Sequence, residues 1–233
     1  MIYCDPQTGV CTVKTTERAE HEPDSKRILD HTLLYFGDPM CSWCWGFAPQ
    51  IEKMRDLTSK SYDFKLIMGG LRPGGGDPWN DQMKSFLSEH WNHVIDRSAQ
   101  PFNFELFERQ DFEYDTEPPC RAVKTAQYLL GDQALPFYHH IQHRFYAESK
   151  DPGDINFYEP ICKKNNIDFS TFKEHYQSDL IEQRTRQDFT FTQRLGVQGF
   201  PSLLISADGQ IQYLARGYST ADNIYQRLQS LNQ

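Results

Sequence analysis

The chain has 233 residues and a formal net charge of −8. That length fits one large domain or two modest ones, and the acidic balance argues against a general nucleic-acid binder, which needs clustered Lys and Arg. No apolar run approaches the roughly 18 to 20 residues of a membrane span, so neither nucleic acid nor membrane is an expected partner. Aromatic side chains make up 14% of the residues, enough to expect a core or groove rich in Phe, Tyr and Trp.

Residues 1–27 read as an extension ahead of the fold, polar and mixed in charge, with no apolar core of a signal peptide. The expected location is therefore cytoplasmic, where paired cysteines are more often catalytic or metal-binding than structural. Cys4 and Cys11 flank Asp5-Pro6-Gln7-Thr8-Gly9, a turn-rich stretch able to bring the two thiols together in a hairpin. They are candidate auxiliary thiols in a dithiol relay. The favoured reading is plainer: an exposed tail whose cysteines have no specific role.

An apolar run from Ile28 to Phe36 reads as a buried strand. It leads into Asp38-Pro39-Met40-Cys41-Ser42-Trp43-Cys44-Trp45-Gly46-Phe47. Phe47, Ile51, Met54 and Leu57 then recur at helical spacing, with Pro49 expected to kink the helix. Cys41 thus falls at a helix N-terminus, where unpaired backbone N–H groups and the macrodipole favour an anion. A thiolate is such an anion, so a lowered pKa is expected there, and Cys44 lies one helical turn on. Trp43 and Trp45 are expected to form an apolar rim, with Phe47 turned into the core.

A second strand, Tyr62 to Met68, completes a βαβ unit. The loop Gly69-Gly70-Leu71-Arg72-Pro73-Gly74-Gly75-Gly76 follows, and it lacks the Lys-Ser/Thr ending of a phosphate loop. From Trp79 to Leu195 the pattern is helical. Stripes run through Met83, Phe86, Leu87, Trp91 and Val94, then through Phe137, Ile141 and Phe145. Pro118-Pro119 opens a helix. Short strands return at Ser202–Ser206 and Ile211–Ala215 around an Ala207-Asp208-Gly209 turn, and a last helix begins at Thr220. The fold class is α/β, βαβ…ββα with a large all-helical insertion. Its expected parts are residues 28–78 with 196–233, and the inserted block 79–195.

The dithiol after the first strand, the proline in its helix and Phe200-Pro201 before a terminal ββα together resemble the thioredoxin fold. The helical insertion resembles that of DsbA-like proteins. The dithiol stretch, the Gly69–Gly74 loop and Pro118-Pro119-Cys120-Arg121-Ala122 are most similar to the cytosolic FrnE-like subgroup, named for protein-disulfide isomerase activity. The resemblance covers residues 28–231. It implies Cys41 as attacking thiol, Cys44 as resolving thiol, and Pro201 as a cis proline facing the dithiol. Phe200 would offer backbone groups to an extended substrate strand.

The implied function is thiol–disulfide exchange on protein, peptide or small disulfides. It needs no cofactor beyond the redox-active disulfide. Glutathione is a candidate co-substrate, and glutathione or a thioredoxin-type protein a candidate redox partner. Ser42-Trp43 is neither the Pro-His of DsbA nor the Gly-Pro of thioredoxin, so oxidase, reductase and isomerase directions all stand.

Two other classes stand beside this one. A client-binding adaptor could use the same fold without catalysis. A glutathione-dependent isomerase or transferase of the kappa type would carry serine where Cys41 stands, which the intact CxxC opposes. A zinc site using Cys41 and Cys44 needs a second pair that Cys4 and Cys11 supply only at unusual spacing. His90 with His93, and His139, His140 and His143, read as packed or solvated, so no metal is expected. Cys120 reads as a packed or capping residue and Cys162 as structural. Asp30 and Glu52 are the acids at hand to exchange a proton with Cys44.

Overall fold

A computed structural model describes residues 3–12 and 31–231. Asp30 and the Glu17–Arg27 segment lie outside the described residues, as does the start of the first predicted strand. The central sheet is built from β3, Thr32–Gly37, β4, Asp63–Met68, β6, Ser202–Ala207, and β7, Gln210–Arg216. Its four strands lie in the order β4-β3-β6-β7. β3 pairs parallel with β4 and antiparallel with β6, and β6 pairs antiparallel with β7. Every residue of β3 is buried, as expected of a central strand covered on both faces, which is why it reads as a continuous apolar run.

Helix α1, Ser42–Thr58, carries Phe47, Ile51 and Met54 into the core. The predicted stripe fails at its end, because Leu57 is exposed and Thr58 is buried in its place. The Thr58 hydroxyl donates to the Met54 carbonyl at 2.7 Å, so its polar atom costs little there. Pro49 lies inside this helix and cannot donate to the carbonyl four residues back, that of Trp45. The Gln100 side-chain amide donates to that carbonyl at 3.0 Å. A residue of the helical block thereby repairs the bond that proline removes.

Between β4 and the next strand all regular elements are helical. They include α2, Asp81–Ser98, α3, Glu117–Leu130, α4, Leu135–Tyr146, α5, Glu159–Lys164, α6, Phe169–Tyr176, and α7, Asp179–Arg194. The Asn80 side chain caps α2 by accepting from the Met83 N–H, and Pro118 and Pro119 occupy the first turn of α3, both local stop-and-start signals of ordinary kind. Trp91 is the hub of the aromatic packing, with Phe102, Phe104, Phe107, Phe145 and Tyr146 around its ring. Helix α8, Ala221–Leu231, closes the chain on α1, burying Ile224 and Leu228.

The largest departure from the sequence reading is at the N-terminus. β1, Tyr3–Asp5, and β2, Val10–Thr12, form an antiparallel hairpin, and β2 pairs onto β5, Gly199–Phe200. Cys4 and Cys11 face each other across it and are joined by a disulfide. Both are buried. The expected exposed tail is therefore, over residues 3–12, two strands of a second, three-stranded sheet. The turn-rich stretch does bring the two thiols together in a hairpin, as its residues suggest; its docking is not legible in the sequence, because the partner, β5, lies nearly two hundred positions away.

Candidate active site

Cys41 is the N-cap residue of α1, in extended conformation, with its backbone N–H held by the Asp38 carbonyl at 3.1 Å. Its sulfur lies 3.6 Å from the Phe200 carbonyl oxygen. The Phe200–Pro201 peptide bond is cis, so the dithiol and the proline loop meet. Gly69 makes this possible: a Cβ there would run into the Phe200 ring.

The four residues expected to bind substrate divide. Phe200 and Pro201 stand beside Cys41, yet Phe200 is fully buried. Trp43 and Trp45 do not form a rim. They are 1% and 5% exposed. Residues two apart on a helix point in nearly opposite directions, and each indole here finds its own cover. Trp43 packs on Tyr218 beneath the hairpin turn. Trp45 stacks on Tyr146 with rings only 5° from parallel, and its indole N–H donates to the Pro101 carbonyl at 3.0 Å.

Cys41 and Cys44 are both free thiols and both fully buried. Burial pushes the Cys41 thiol well above its ordinary value, and the hydrogen-bonded Cys44 thiol and the Asp38 charge add to the effect. The expected lowered pKa is not what this arrangement holds. Desolvation of the thiolate outweighs the helix terminus when no water reaches the sulfur.

Several residues that the sequence reading did not single out as functional complete the site. Asp38 is fully buried. One carboxylate oxygen accepts from the Met40 N–H at 2.9 Å, the other from the Leu71 N–H at 2.7 Å, and the Cys120 thiol lies 3.5 Å from it. Burial raises its carboxyl to about 6, against the lowering effect of those backbone donors. The role of the Gly69–Gly76 loop is now visible: it delivers the Leu71 amide to this carboxylate. Arg72 of the same loop is buried and pairs with Asp77 at 2.6 Å. The Tyr114 hydroxyl donates to the Met40 carbonyl.

The Tyr35 hydroxyl interacts with the Cys44 thiol and lies 3.5 Å from the Tyr138 hydroxyl, which donates to the Asp38 carbonyl at 3.2 Å. A buried polar chain thus runs from Cys44 to the Asp38 backbone. Gly37 makes room for it, since a Cβ there would stand 2.6 Å from the Tyr138 hydroxyl and 3.1 Å from that of Tyr35. Gly37→Ala should cost about 1–3 kcal/mol of stability through overpacking, read as a lower urea midpoint with unchanged slope. A variant as stable as wild type would show that the two tyrosines have room to yield.

The remaining candidates lie elsewhere. Glu52 accepts from His139 at 2.7 Å and is held below the usual carboxylate range by that bond. Cys162 is buried on α5. Cys4 and Cys11, being bonded to each other, offer no thiolates to a metal. Among the described residues no group of three or more His, Cys, Asp or Glu side chains is placed to hold a metal ion, and no helix is long and apolar enough to cross a membrane.

The thioredoxin family model matches residues 34–222. The chain belongs to the thioredoxin family. Within it, a candidate protein disulfide isomerase of known structure from Nitrosomonas europaea is 32% identical, covers 88% of this chain and 98% of its own, and superposes with a TM-score of 0.81. The cytosolic disulfide reductase DsbM of Pseudomonas aeruginosa, solved also with GSH, is 22% identical with a TM-score of 0.72 over 86% of this chain and 98% of its own. These likenesses give this thioredoxin-family chain a DsbA-like fold, with the helices set between β4 and β5.

The ClpXP adapter protein SpxH of Halalkalibacterium halodurans is 19% identical over 88% of this chain, and that of Bacillus subtilis 21% over 73%. The chain spans 67% and 56% of the length of these two curated relatives.

Proposed function

We propose that the chain is a thiol–disulfide oxidoreductase working through Cys41 and Cys44. One observation carries the reading: the Cys41 sulfur, at the start of α1, stands against the Phe200 carbonyl beside a cis proline. That carbonyl lies next to the backbone where an extended chain would pair, so a disulfide carried on such a chain is delivered to the thiol.

The Cys41 thiolate attacks one sulfur of the substrate disulfide, and the other leaves as a thiolate. Cys44, within hydrogen-bonding reach of Cys41, then attacks the Cys41 sulfur. The substrate leaves as a dithiol, and its two electrons have come from the Cys41–Cys44 pair, now a disulfide. The reverse sequence oxidises a substrate. Cys41 and Cys44 are thus the catalytic pair, while Phe200 and Pro201 line the substrate edge. Thiol-containing peptides and proteins are the proposed partners, with glutathione as co-substrate, a role supported by the likeness to DsbM. A cytosolic site of action rests on the same likeness.

Titrating the Cys41–Cys44 pair in glutathione buffers, with the bonded state read by mass spectrometry, tests the reading. A single two-electron transition is expected, and its midpoint assigns the direction. No Cys41–Cys44 disulfide across the whole buffer range would sink it. The likeness to the SpxH adapters supports a second reading, a client-binding adaptor. That reading predicts client binding unchanged when Cys41 is replaced and no insulin reduction in any redox buffer.

A further inference from the structure

The edge beside Cys41 is already occupied by this chain itself. β2 pairs with β5 in the register Cys11 with Phe200 and Thr12 with Gly199. An extended peptide that approaches Phe200 needs the same backbone groups, and one strand edge holds one partner at a time. The contact is a fitted one. A Cβ on Gly9 at the hairpin turn would meet Tyr218 Cβ at 2.7 Å and Trp43 at 3.0 Å. A Cβ on Gly199 would strike Val10, and one on Gly217 would strike the Thr8 carbonyl oxygen. Three glycines thus let the hairpin lie directly on the dithiol helix, the proline loop and the turn after β7.

Cys41, whose sulfur lies against the Phe200 carbonyl of the strand that the hairpin pairs with, has no exposed surface. The hairpin turn lies against the Trp43 ring, and the indole N–H of that residue is buried without a hydrogen-bond partner among the described residues.

We infer that the β1–β2 hairpin is a strap, closed by the Cys4–Cys11 disulfide, which occupies the peptide-docking edge beside Cys41 and loosens when that disulfide is reduced. Its peptide rests on the oxidoreductase reading; its own contacts do not.

The strand pairing of the strap is short. Its strands are three residues each and β5 offers two, whereas an isolated two-stranded hairpin is marginal in water. Asp5 organises the turn by accepting from the Gln7 N–H at 2.8 Å, and His90 reaches the Cys4 carbonyl at 2.6 Å. Covalent closure of so short a loop removes much of the freedom of the lifted hairpin. Reduction requires a dithiol donor. One donor thiolate opens the Cys4–Cys11 bond as a mixed disulfide, and its second thiol completes the exchange. The hairpin is left with two thiols and the donor with a disulfide, so two electrons and two protons have moved inward. Both sulfurs are buried while the strap is down. Lifting exposes them, and by linkage reduction favours lifting by the same factor that lifting favours reduction.

The test uses the full chain with Cys44→Ser, in which Cys41 captures a disulfide without resolving it and Cys4–Cys11 is the remaining bond. Hydrogen exchange at residues 9–12 and 199–200 is measured before and after dithiothreitol. In parallel, Cys41 capture of an extended peptide bearing a pyridyl disulfide is timed with and without added Cys4→Ser and Cys11→Ser. The strap predicts faster exchange at both segments on reduction, and capture roughly tenfold or more faster without the cross-link. Unchanged exchange overturns the inference, whatever Cys41 does. Exchange that rises while Cys41 captures no peptide in either variant leaves the strap standing and removes the oxidoreductase reading instead.

Discussion

Cys41→Ser should lower insulin-reduction turnover by about a thousandfold or more, because serine offers no thiolate to attack a disulfide. The substitution removes one atom type and little volume, so the fold should persist and the loss be chemical. Cys44→Ser should behave differently. Cys41 can still attack, but nothing is placed to displace the bound substrate, so turnover stalls with a mixed disulfide on Cys41. Mass spectrometry of the two variants after exposure to a peptide disulfide reads this directly: an adduct on the second, none on the first. If Cys41→Ser kept even a tenth of wild-type turnover, the chemistry would have to be assigned to another thiol, and Cys44, Cys120 and Cys162 are the free ones left.

Asp38→Asn should change the pH dependence of stability rather than simply its level. The carboxyl is raised from an ordinary value near 3.8 to about 6, chiefly by burial. A folded-state pKa above the unfolded one means that the folded protein binds the proton more tightly. The stabilisation is therefore complete below the unfolded value and lost as pH rises through the folded one. A rise of that size corresponds to about 3 kcal/mol. An asparagine side chain at this position cannot ionise and lacks this slope, so the variant should gain on wild type by roughly that amount between about pH 4 and about pH 8. Urea unfolding of both proteins at several pH values checks it. A stability difference that stays constant over the interval would mean that Asp38 is ionised throughout it in the folded protein as in the unfolded one.

The asymmetry has a structural origin. The Met40 and Leu71 amides favour the charged form, yet burial acts on Asp38 more strongly than either. Two backbone donors do not repay the desolvation of a fully buried carboxylate.

The element order is legible in the sequence because each element announces itself locally. The continuous apolar run of β3, the helical stripe of α4 and the turn between β6 and β7 depend on near neighbours, and the α/β class follows from their order. The dithiol is local too, being four consecutive residues. What surrounds it is not. Tyr35, Tyr138 and Tyr114 carry no motif, and they meet at the site only because separate elements bring them to the end of β3.

Trp43 and Trp45 show the limit most clearly. A pair of tryptophans beside a dithiol reads as an exposed apolar surface, but exposure is decided by what packs on a residue. Here the covers are Tyr146 and Pro101 for Trp45, and Tyr218 with the hairpin turn for Trp43. None of these is adjacent in the chain.

The same holds for the two N-terminal cysteines and for the thiol state of Cys41. Sequence alone determined that a CxxC opens a helix after a buried strand, and that a proline loop precedes the closing strands. A helix terminus favours a thiolate, which is as far as local pattern reaches. Only the tertiary structure decided that residues 3–12 fold back onto Gly199–Phe200 and that both thiols of the pair are buried. The physical reason is range: helix dipoles, turns and periodicity act over a few residues, whereas desolvation depends on everything that closes over an atom.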